Sequence, residues 1–201
     1  VAAREAWRSK DSQNVGKKAL MLTSHGAHSS IQAMAKVIDA DVVMIDCEEE
    51  NLTGRELQNA INELEEKDRN RLFAVVATGG TTNAGIIDQL DTIADVCEKE
   101  NVWFHVDCAY GGCALAAPSV RHLFNGVERA DSITIDPHKW LFSPYDCGAV
   151  IYKDLELAKN AGVTLGRQGI KTNVRMETNI KDVYAVGDCA ESIYLITRRP
   201  M

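Results

Sequence analysis

The chain has 201 residues, of which 45% are hydrophobic and 25% are charged, and such values are typical of a globular protein with a buried core. Its formal net charge of −7 argues against nucleic acid or an anionic membrane surface as the main partner, because no surplus of basic side chains remains for phosphate groups. The longest apolar runs have the length of strands, so the sequence predicts no membrane-spanning segment.

The cysteines predict a reducing compartment. They form no C-x-x-C pair, so neither a zinc ribbon nor a redox dithiol is indicated, and we interpret them as reduced structural thiols. The N-terminus has the pattern of a helix and shows no signal peptide. Together these features predict a cytoplasmic protein.

In chain order, apolar runs predict strands at 19–23, 41–46, 72–77, 102–107, 133–135 and 148–152. Between them, helical spacing predicts a helix that Ser29 or Ser30 caps, a helix that Thr53 opens and a helix over 86–99. This alternation predicts an α/β fold with a mostly parallel sheet and flanking helices. Near residue 161 the pattern changes to short strands and turns, so we predict a core domain over 1–160 and a β-rich tail over 162–201.

Polar loops follow four of the predicted strands, and parallel strands bring such loops to one carboxyl edge, where α/β sheets bind ligands. Lys139 comes just after the strand at 133–135, and Asp107 ends the strand before it. Pyridoxal phosphate needs a lysine for its Schiff base and a carboxylate that keeps its pyridine nitrogen protonated. We therefore assign these two roles to Lys139 and Asp107. The same edge carries His28, able to lie flat on a ring, and the small Ala109 on the opposite side.

Other kinds of site are less well supported. His25, His28, His105 and Asp107 offer metal-ligand atoms, but their spacing is weak, so we predict no metal site and interpret His105 as a hydrogen-bonded strand histidine. Neither a G-x-S-x-G nucleophile elbow nor a G-x-G-x-x-G or P-loop fingerprint is present.

Four motifs occur in order: SHGAHSS at 24–30, ATGGTT at 77–82, HVDCAYGG at 105–112 and DSITIDPHKW at 131–140. Together they resemble the large domain of group II pyridoxal-phosphate-dependent amino-acid decarboxylases, a family with the aspartate-aminotransferase-like fold (fold type I). The resemblance covers residues 1 to about 160. It implies decarboxylation of an L-amino acid, and a homodimer with its sites near the interface.

The resemblance also implies a role for individual residues. By it, Lys139 is the Schiff-base lysine, Asp107 the partner of the pyridine nitrogen and His28 the histidine stacked on the cofactor ring. The remaining cofactor-binding positions are Ala109 beneath the ring, Thr81 near the phenolic oxygen, and Asp136 and His138 near the phosphate and the imine. The family's chain extends further on both sides, with segments that bind the phosphate and the substrate carboxylate. We therefore expect weak or no decarboxylation from this chain alone.

The tail resembles a different family. GIKTN at 169–173, METN at 176–179 and DVYAVGDCA at 182–190 are similar to flavin-dependent pyridine nucleotide-disulfide oxidoreductases. That resemblance implies a flavin contact for Asp188 and FAD as an alternative cofactor, although the dinucleotide fingerprint is absent. We therefore expect a truncated or chimeric chain. Two alternative functions follow: a fragment of a FAD- or NAD(P)-dependent oxidoreductase, and a non-catalytic or engineered α/β module.

Overall fold

The computed structural model describes residues 1–144, 147–153, 159, 162–167, 169–181, 185, 190–191, 193–194 and 199–200. The chain divides into two compact units: one is Trp7–Lys153, and the other combines Val1–Ala6 with Asp154–Met201. The domain boundary that the sequence predicts near residue 161 stays a prediction.

Trp7–Lys153 is built on one six-stranded sheet. Its strands are β1 (Ala19–Ser24), β2 (Ala40–Ile45), β3 (Leu72–Thr78), β4 (Trp103–Asp107), β5 (Ser132–Ile135) and β6 (Ala149–Tyr152). The order across the sheet is β2-β1-β3-β4-β5-β6, in which β6 pairs antiparallel with β5 and the other pairings are parallel. The mostly parallel sheet predicted from the sequence is therefore confirmed.

Helix α1 (Ala2–Lys10) crosses the boundary between the two units. Within Trp7–Lys153, the sheet is flanked by helices α2 (Ser30–Val37), α3 (Gly54–Glu63), α4 (Glu66–Arg69) and α5 (Leu90–Glu100). Short 3-10 helices lie at Ser12–Asn14, Gly111–Ala116, Arg121–Phe124 and Val127–Arg129. Helices α3 and α5 contribute Leu57, Ile61 and Ile93 to the core, where they join Val75 and Phe104 of the sheet. Each such side chain stabilises the fold by about 1.5–3 kcal/mol through its burial.

Helix α3 begins where the sequence predicts. The Thr53 hydroxyl accepts from the Glu56 backbone N–H, and the Glu56 carboxylate accepts from the Thr53 N–H at 2.9 Å, which makes a capping box. The Glu56 carboxylate also accepts from the Glu48 N–H at 2.7 Å. Burial raises the pKa of Glu56, but its hydrogen bonds outweigh burial, so the pKa lies below its ordinary value.

Helix α5 begins later than predicted. The spacing indicates a helix from Ile86, but the structure begins it at Leu90. The residues before Leu90 are instead hydrogen-bonded to the end of β3. Ile87 forms an isolated bridge with Gly79, and the Asp88 N–H donates to the Thr78 carbonyl at 3.0 Å. Tertiary hydrogen bonds therefore override a helical pattern over these residues.

Helix α2 buries less of its predicted apolar face than the spacing indicates. Ala35 on the helix and Ile38 just after it are buried, whereas Met34 and Val37 are exposed. Ser29 occupies the N-cap position, but its side chain makes no capping hydrogen bond, so the predicted hydroxyl cap is wrong for Ser29.

The second unit contains short strands in the part of the chain that the structure describes. Strands β7 (Ile170–Lys171) and β8 (Ala190–Glu191) pair in parallel, and β9 (Ile193–Tyr194) pairs antiparallel with β10 (Arg199–Pro200). The predicted flavin contact Asp188 lies outside the described residues. Among the helices of the described residues, none combines the length and apolar character that crossing a membrane requires.

Candidate active site

A cavity of about 430 Å³ lies at the carboxyl edge of the sheet. The loops after β1, β3, β4 and β5 all contribute to its wall, so the structure brings together the four polar loops that the sequence places on one edge. The residues that line it are Gly26, His28, Ser30, Ile31, Met34, Thr78, Gly80, Thr81, Thr82, His105, Asp107, Ala109, Tyr110, Thr134, Asp136 and Lys139.

A second cavity of about 660 Å³ adjoins the first on the side of the β1 loop. It shares Gly26, His28, Thr81 and Thr82 with the smaller cavity, but Asp107 and Lys139 line only the smaller one. We therefore place the candidate site in the 430 Å³ cavity, because the charged groups suited to chemistry are there.

A row of three side chains forms the floor of the cavity. Asp107 is in register with Thr78 of β3 on one side and with Thr134 of β5 on the other. Side chains in register on parallel strands point to the same face, so both hydroxyls flank the carboxylate. The Thr78 hydroxyl is buried and has no hydrogen-bond partner among the described residues.

The Asp107 carboxylate is held at one oxygen. Its Oδ1 accepts from the Ala109 backbone N–H at 3.0 Å, which fixes the side chain and places Ala109 beside it. No ion pair joins Asp107 to a cation among the described residues. A half-buried carboxylate without a cation of its own suits a cationic group of a ligand, such as a protonated ring nitrogen.

Lys139 reaches the same cavity from the loop after β5. Its Nζ lies 3.0 Å from Asp136 Oδ2, and its backbone N–H donates to the Asp136 carbonyl at 3.0 Å, so the two residues form one compact turn. Gly148 leaves space for this carboxylate, since a Cβ there would lie 3.3 Å from Asp136 Oδ1. An amine at one wall and an unpaired carboxylate on the floor fit a cofactor with an aldehyde and a cationic ring nitrogen.

The Thr81 loop is fastened by hydrogen bonds and close backbone contact. The Thr81 N–H donates to the Ile86 carbonyl at 2.9 Å, and its Oγ1 accepts from the Ile86 N–H at 3.1 Å. Gly80 has φ +112°, and a Cβ there would lie only 2.8 Å from the Gly111 Cα. A residue with a side chain would therefore separate the loops after β3 and β4.

The two predicted histidines differ in position. His28 lines the cavity from an exposed position at the start of α2, where its Nδ1 accepts from the Ser30 backbone N–H at 3.2 Å. His138 is not among the cavity-lining residues; its Nδ1 lies 2.7 Å from the Cys147 carbonyl oxygen. The structure thus brings together His28, Thr81, Asp107, Ala109, Asp136 and Lys139, and leaves His138 beside the start of β6. The roles of all seven residues stay predictions.

The sequence interpretation did not assign Thr78, Thr134 and Tyr110 to the site. Strand alternation was a usable signal for the two threonines, because each lies at the carboxyl end of a strand beside Asp107. Tyr110 packs edge-on against Trp140 with ring centroids 5.2 Å apart, a contact between two loops that no sequence spacing indicates.

His105 is hydrogen-bonded through both ring nitrogens, as the sequence predicts. Its Nδ1 lies 2.8 Å from the Ser132 hydroxyl and its Nε2 lies 3.3 Å from the Thr134 hydroxyl. His105 also lines the cavity. Burial lowers the pKa of His105, although nearby Asp107 and a backbone hydrogen bond with Ser132 oppose the shift.

The described residues hold no group of three or more His, Cys, Asp or Glu side chains arranged to bind a metal ion. Burial raises the pKa of Cys47 to about 11 and that of Cys108 to about 12, so both remain protonated thiols rather than nucleophilic thiolates. The chemistry of this edge therefore rests on its carboxylates, its lysine and its histidines.

Comparison with known families gives two matches. The family described as pyridoxal-dependent decarboxylase conserved domain matches residues 2–165. The family described as pyridine nucleotide-disulphide oxidoreductase matches residues 147–201, which corresponds to the tail.

Curated relatives are decarboxylases. An aromatic-L-amino-acid decarboxylase of Bacillus atrophaeus is 33% identical over 193 residues, which are 94% of this chain and 38% of that protein. One of Drosophila lebanonensis is 38% identical over 159 residues, covering 79% of this chain and 39% of the relative. A cysteine sulfinic acid decarboxylase of Mus musculus is 49% identical over 82 residues, which are 41% of this chain and 17% of the relative.

Two solved structures are similar to most of this chain. The crystal structure of mouse CSAD in apo form has a TM-score of 0.71 and 33% identity, and the match covers 79% of this chain and 36% of that one. The crystal structure of Oryza sativa TDC with PLP has a TM-score of 0.69 and 32% identity, covering 77% of this chain and 34% of that one. The chain thus spans well under half the length of these relatives.

Proposed function

The chain belongs to the pyridoxal-dependent decarboxylase family, and from this premise we propose that the protein catalyses the decarboxylation of an L-amino acid with pyridoxal phosphate bound in the 430 Å³ cavity. One observation carries the proposal: Asp107 and Lys139 line the same cavity from neighbouring strands, with the carboxylate on the floor and the amine on the wall.

Each of the two residues has a distinct task. Lys139 is the amine that would hold the cofactor aldehyde covalently, and Asp107 would hold the positive charge of the pyridine nitrogen. When bound, pyridoxal phosphate supplies an electron sink for the pair released when the substrate carboxyl group leaves as carbon dioxide. His28 and Ala109 line the same cavity and would bound the ring on its two faces.

Asp136 supports Lys139 in this proposal. An ammonium group is not a nucleophile, so Lys139 Nζ must lose a proton before it attacks an aldehyde. That proton would leave to solvent, and the Asp136 carboxylate, whose Oδ2 is 3.0 Å from the nitrogen, would hold and orient the amine at the cavity wall. Asp136 would then act on Lys139 directly.

The test is to trap the covalent link. Purified protein is incubated with pyridoxal phosphate, reduced with borohydride, digested and mapped by mass spectrometry. We expect the modification on Lys139 and its loss in Lys139→Ala, whereas the control Lys153→Ala, which removes an exposed lysine just after β6, keeps it. Equal labelling of wild type and Lys139→Ala would contradict the proposal.

The substrate class follows from the relatives. We propose an aromatic L-amino acid or cysteine sulfinate, because the relatives bear these names. Release of carbon dioxide from the labelled carboxyl group of each amino acid, measured with the purified protein, distinguishes the two. Release from neither would refute this choice of substrate.

The protein is also proposed to form a homodimer in the cytoplasm. Three consecutive apolar side chains next to the site, Trp140, Leu141 and Phe142, are exposed, as a partner surface requires. The thiols of Cys47, Cys97, Cys108, Cys113 and Cys147 are all free, in keeping with a reducing compartment. Cell fractionation tests the location, and recovery from the secreted fraction would contradict it.

A second candidate function comes from the tail. The match of residues 147–201 to pyridine nucleotide-disulphide oxidoreductases favours a flavin-binding fragment with Asp188 as the contact. Such a fragment would purify yellow, with flavin absorbance that Asp188→Ala removes. A colourless protein that takes up no FAD would exclude this function.

A further inference from the structure

A continuous line of polar side chains alternates between β4 and β5 and ends at the cavity floor. The indole N–H of Trp103 donates to the Ser132 hydroxyl at 2.9 Å. That hydroxyl lies 2.8 Å from His105 Nδ1, and the other ring nitrogen, Nε2, lies 3.3 Å from the Thr134 hydroxyl. Thr134 lines the cavity next to Asp107, so the line ends at the ligand site.

The donors and acceptors in this line determine the tautomer of His105. Indole is only a donor, so Trp103 occupies one lone pair of the Ser132 hydroxyl. If His105 Nδ1 carried the proton and donated it to the Ser132 hydroxyl, the buried Ser132 O–H would have no acceptor among the described residues. Such a buried unsatisfied donor costs about 1–3 kcal/mol.

The other tautomer satisfies the Ser132 hydroxyl and both ring nitrogens of His105. With the proton on Nε2, the Ser132 O–H donates to Nδ1, and Nε2–H donates to the Thr134 oxygen. A doubly protonated ring is disfavoured by burial, which lowers the pKa of His105. In this arrangement the Thr134 oxygen accepts from His105, and its own O–H is free to donate into the cavity.

We propose that Trp103 and Ser132 hold His105 in the Nε2–H tautomer, and that His105 thereby turns the Thr134 hydroxyl into a hydrogen-bond donor to the cofactor beside Asp107. Thr134 is then a further cofactor-binding residue, while His105 and Ser132 are positioning residues that act through it. The cofactor contact rests on the proposed function; the hydrogen-bond line does not.

The first test needs no cofactor. Ring nitrogen chemical shifts of the histidines, with His105 identified by His105→Gln, report which nitrogen carries the proton. We expect the proton on Nε2 in the wild type, and a shifted Nδ1 resonance with some Nδ1–H tautomer in Ser132→Ala, which removes the donor to Nδ1. A proton on Nδ1 in the wild type, or identical spectra for the two proteins, would overturn the hydrogen-bond line.

The second test measures the dissociation constant of pyridoxal phosphate by absorbance titration. Thr134→Val keeps the shape and removes the hydroxyl, so we expect binding about five- to tenfold weaker, while Thr134→Ser restores it. The control is Thr23→Val, which removes a fully buried hydroxyl of the same sheet that does not line the cavity and donates to the Val76 carbonyl at 2.8 Å. Thermal unfolding of each variant shows whether it is folded.

The outcomes separate the two proposals. If the wild type binds pyridoxal phosphate and Thr134→Val binds it with the same affinity, the Thr134 contact is refuted and the proposed function stands. Equal weakening by Thr23→Val also refutes the contact, because the effect is then a general loss of packing. No binding by the wild type refutes the proposed function together with the Thr134 contact, and the tautomer measurement still decides the hydrogen-bond line.

Discussion

Asp88 is a buried carboxylate just outside the cavity that holds two parts of the chain together. Its Oδ1 accepts from the Leu52 N–H and its Oδ2 from the Thr78 N–H, both at 2.7 Å. Burial raises the pKa of Asp88 from 3.8 to about 6, since the two hydrogen bonds do not offset the loss of water. One buried aspartate thus connects the loop before α3 to the end of β3, where the cavity floor begins.

The raised pKa of Asp88 predicts that the protein becomes less stable as the pH rises. Between pH 3.8 and about 6 the folded protein binds the Asp88 proton more tightly than the unfolded chain does, so this contribution to stability is full below that range and is lost as the pH rises through it. We expect the free energy of unfolding of the wild type to fall by up to about 3 kcal/mol relative to Asp88→Asn, which cannot ionise. Urea unfolding of both proteins at several pH values measures the difference, and a constant difference would contradict the assignment.

Asp107 provides a second prediction at the residue scale. Asp107→Asn keeps an oxygen for the Ala109 N–H but removes the charge that would face the cofactor's ring nitrogen. We expect pyridoxal phosphate to bind at least about tenfold more weakly, as charge-assisted hydrogen bonds are stronger than neutral ones. Asp131→Asn is the control, because Asp131 accepts from the Phe104 N–H at the opposite end of β4. Equal affinity of wild type and Asp107→Asn would refute the charge match.

At the scale of elements, the contact between α3 and α5 depends on Gly54. Its N–H donates to the Thr92 hydroxyl at 2.9 Å, and a Cβ at this position would overlap the Thr92 backbone carbonyl. The first turn of α3 therefore lies directly against the first turn of α5. Helix α5 packs on β3 and β4, the strands that carry Thr78 and Asp107, whereas α3 packs on α5 and β2, so the contact at Gly54 joins α3 to the helix next to these strands.

Gly54→Ala is expected to destabilise the fold by about 1–3 kcal/mol, since the added methyl group forces two helix backbones apart. Ala normally stabilises a helix relative to Gly, so helix propensity alone would predict the opposite change in the free energy of unfolding. Asn59→Ala, at an exposed position of the same helix, is the control and should be neutral or slightly stabilising. Urea unfolding followed by circular dichroism gives both values, and stabilisation by Gly54→Ala would show that the helices separate freely.

At the scale of the whole molecule, the exposed apolar segment after Lys139 bears on assembly. Phe142 is 91% exposed and has φ +54°, a left-handed conformation that a bulky residue adopts only where its surroundings hold it. Such a residue is misplaced on the surface of a monomer but suits the proposed interface of a homodimer.

Sedimentation velocity tests this proposal. We expect the wild type at twice the mass of one chain and Phe142→Asn as a monomer, because asparagine tolerates the left-handed conformation and removes the apolar ring. Val15→Asn changes an apolar residue that is 69% exposed elsewhere on the surface and should leave the dimer intact. A monomeric wild type at micromolar concentration would contradict the proposed interface.

The amino-acid sequence alone determined the strands, their parallel arrangement and the edge where the polar loops meet. A short apolar run such as 72–77, rich in β-branched residues and followed by glycines, favours a buried strand, and helical connections between strands favour parallel order. Local capping chemistry likewise identified Thr53 as the start of α3. These features depend on neighbours in the chain, so the sequence contains the information needed to predict them.

Only the tertiary structure decided which side chains share the cavity. Register between strands placed Thr78 and Thr134 on either side of Asp107, and a tertiary bridge at Ile87 delayed α5 until Leu90. The tertiary structure also places His138 beside Cys147 and not in the cavity wall. Each result depends on hydrogen bonds between residues far apart in the chain, and local pattern and spacing cannot specify these.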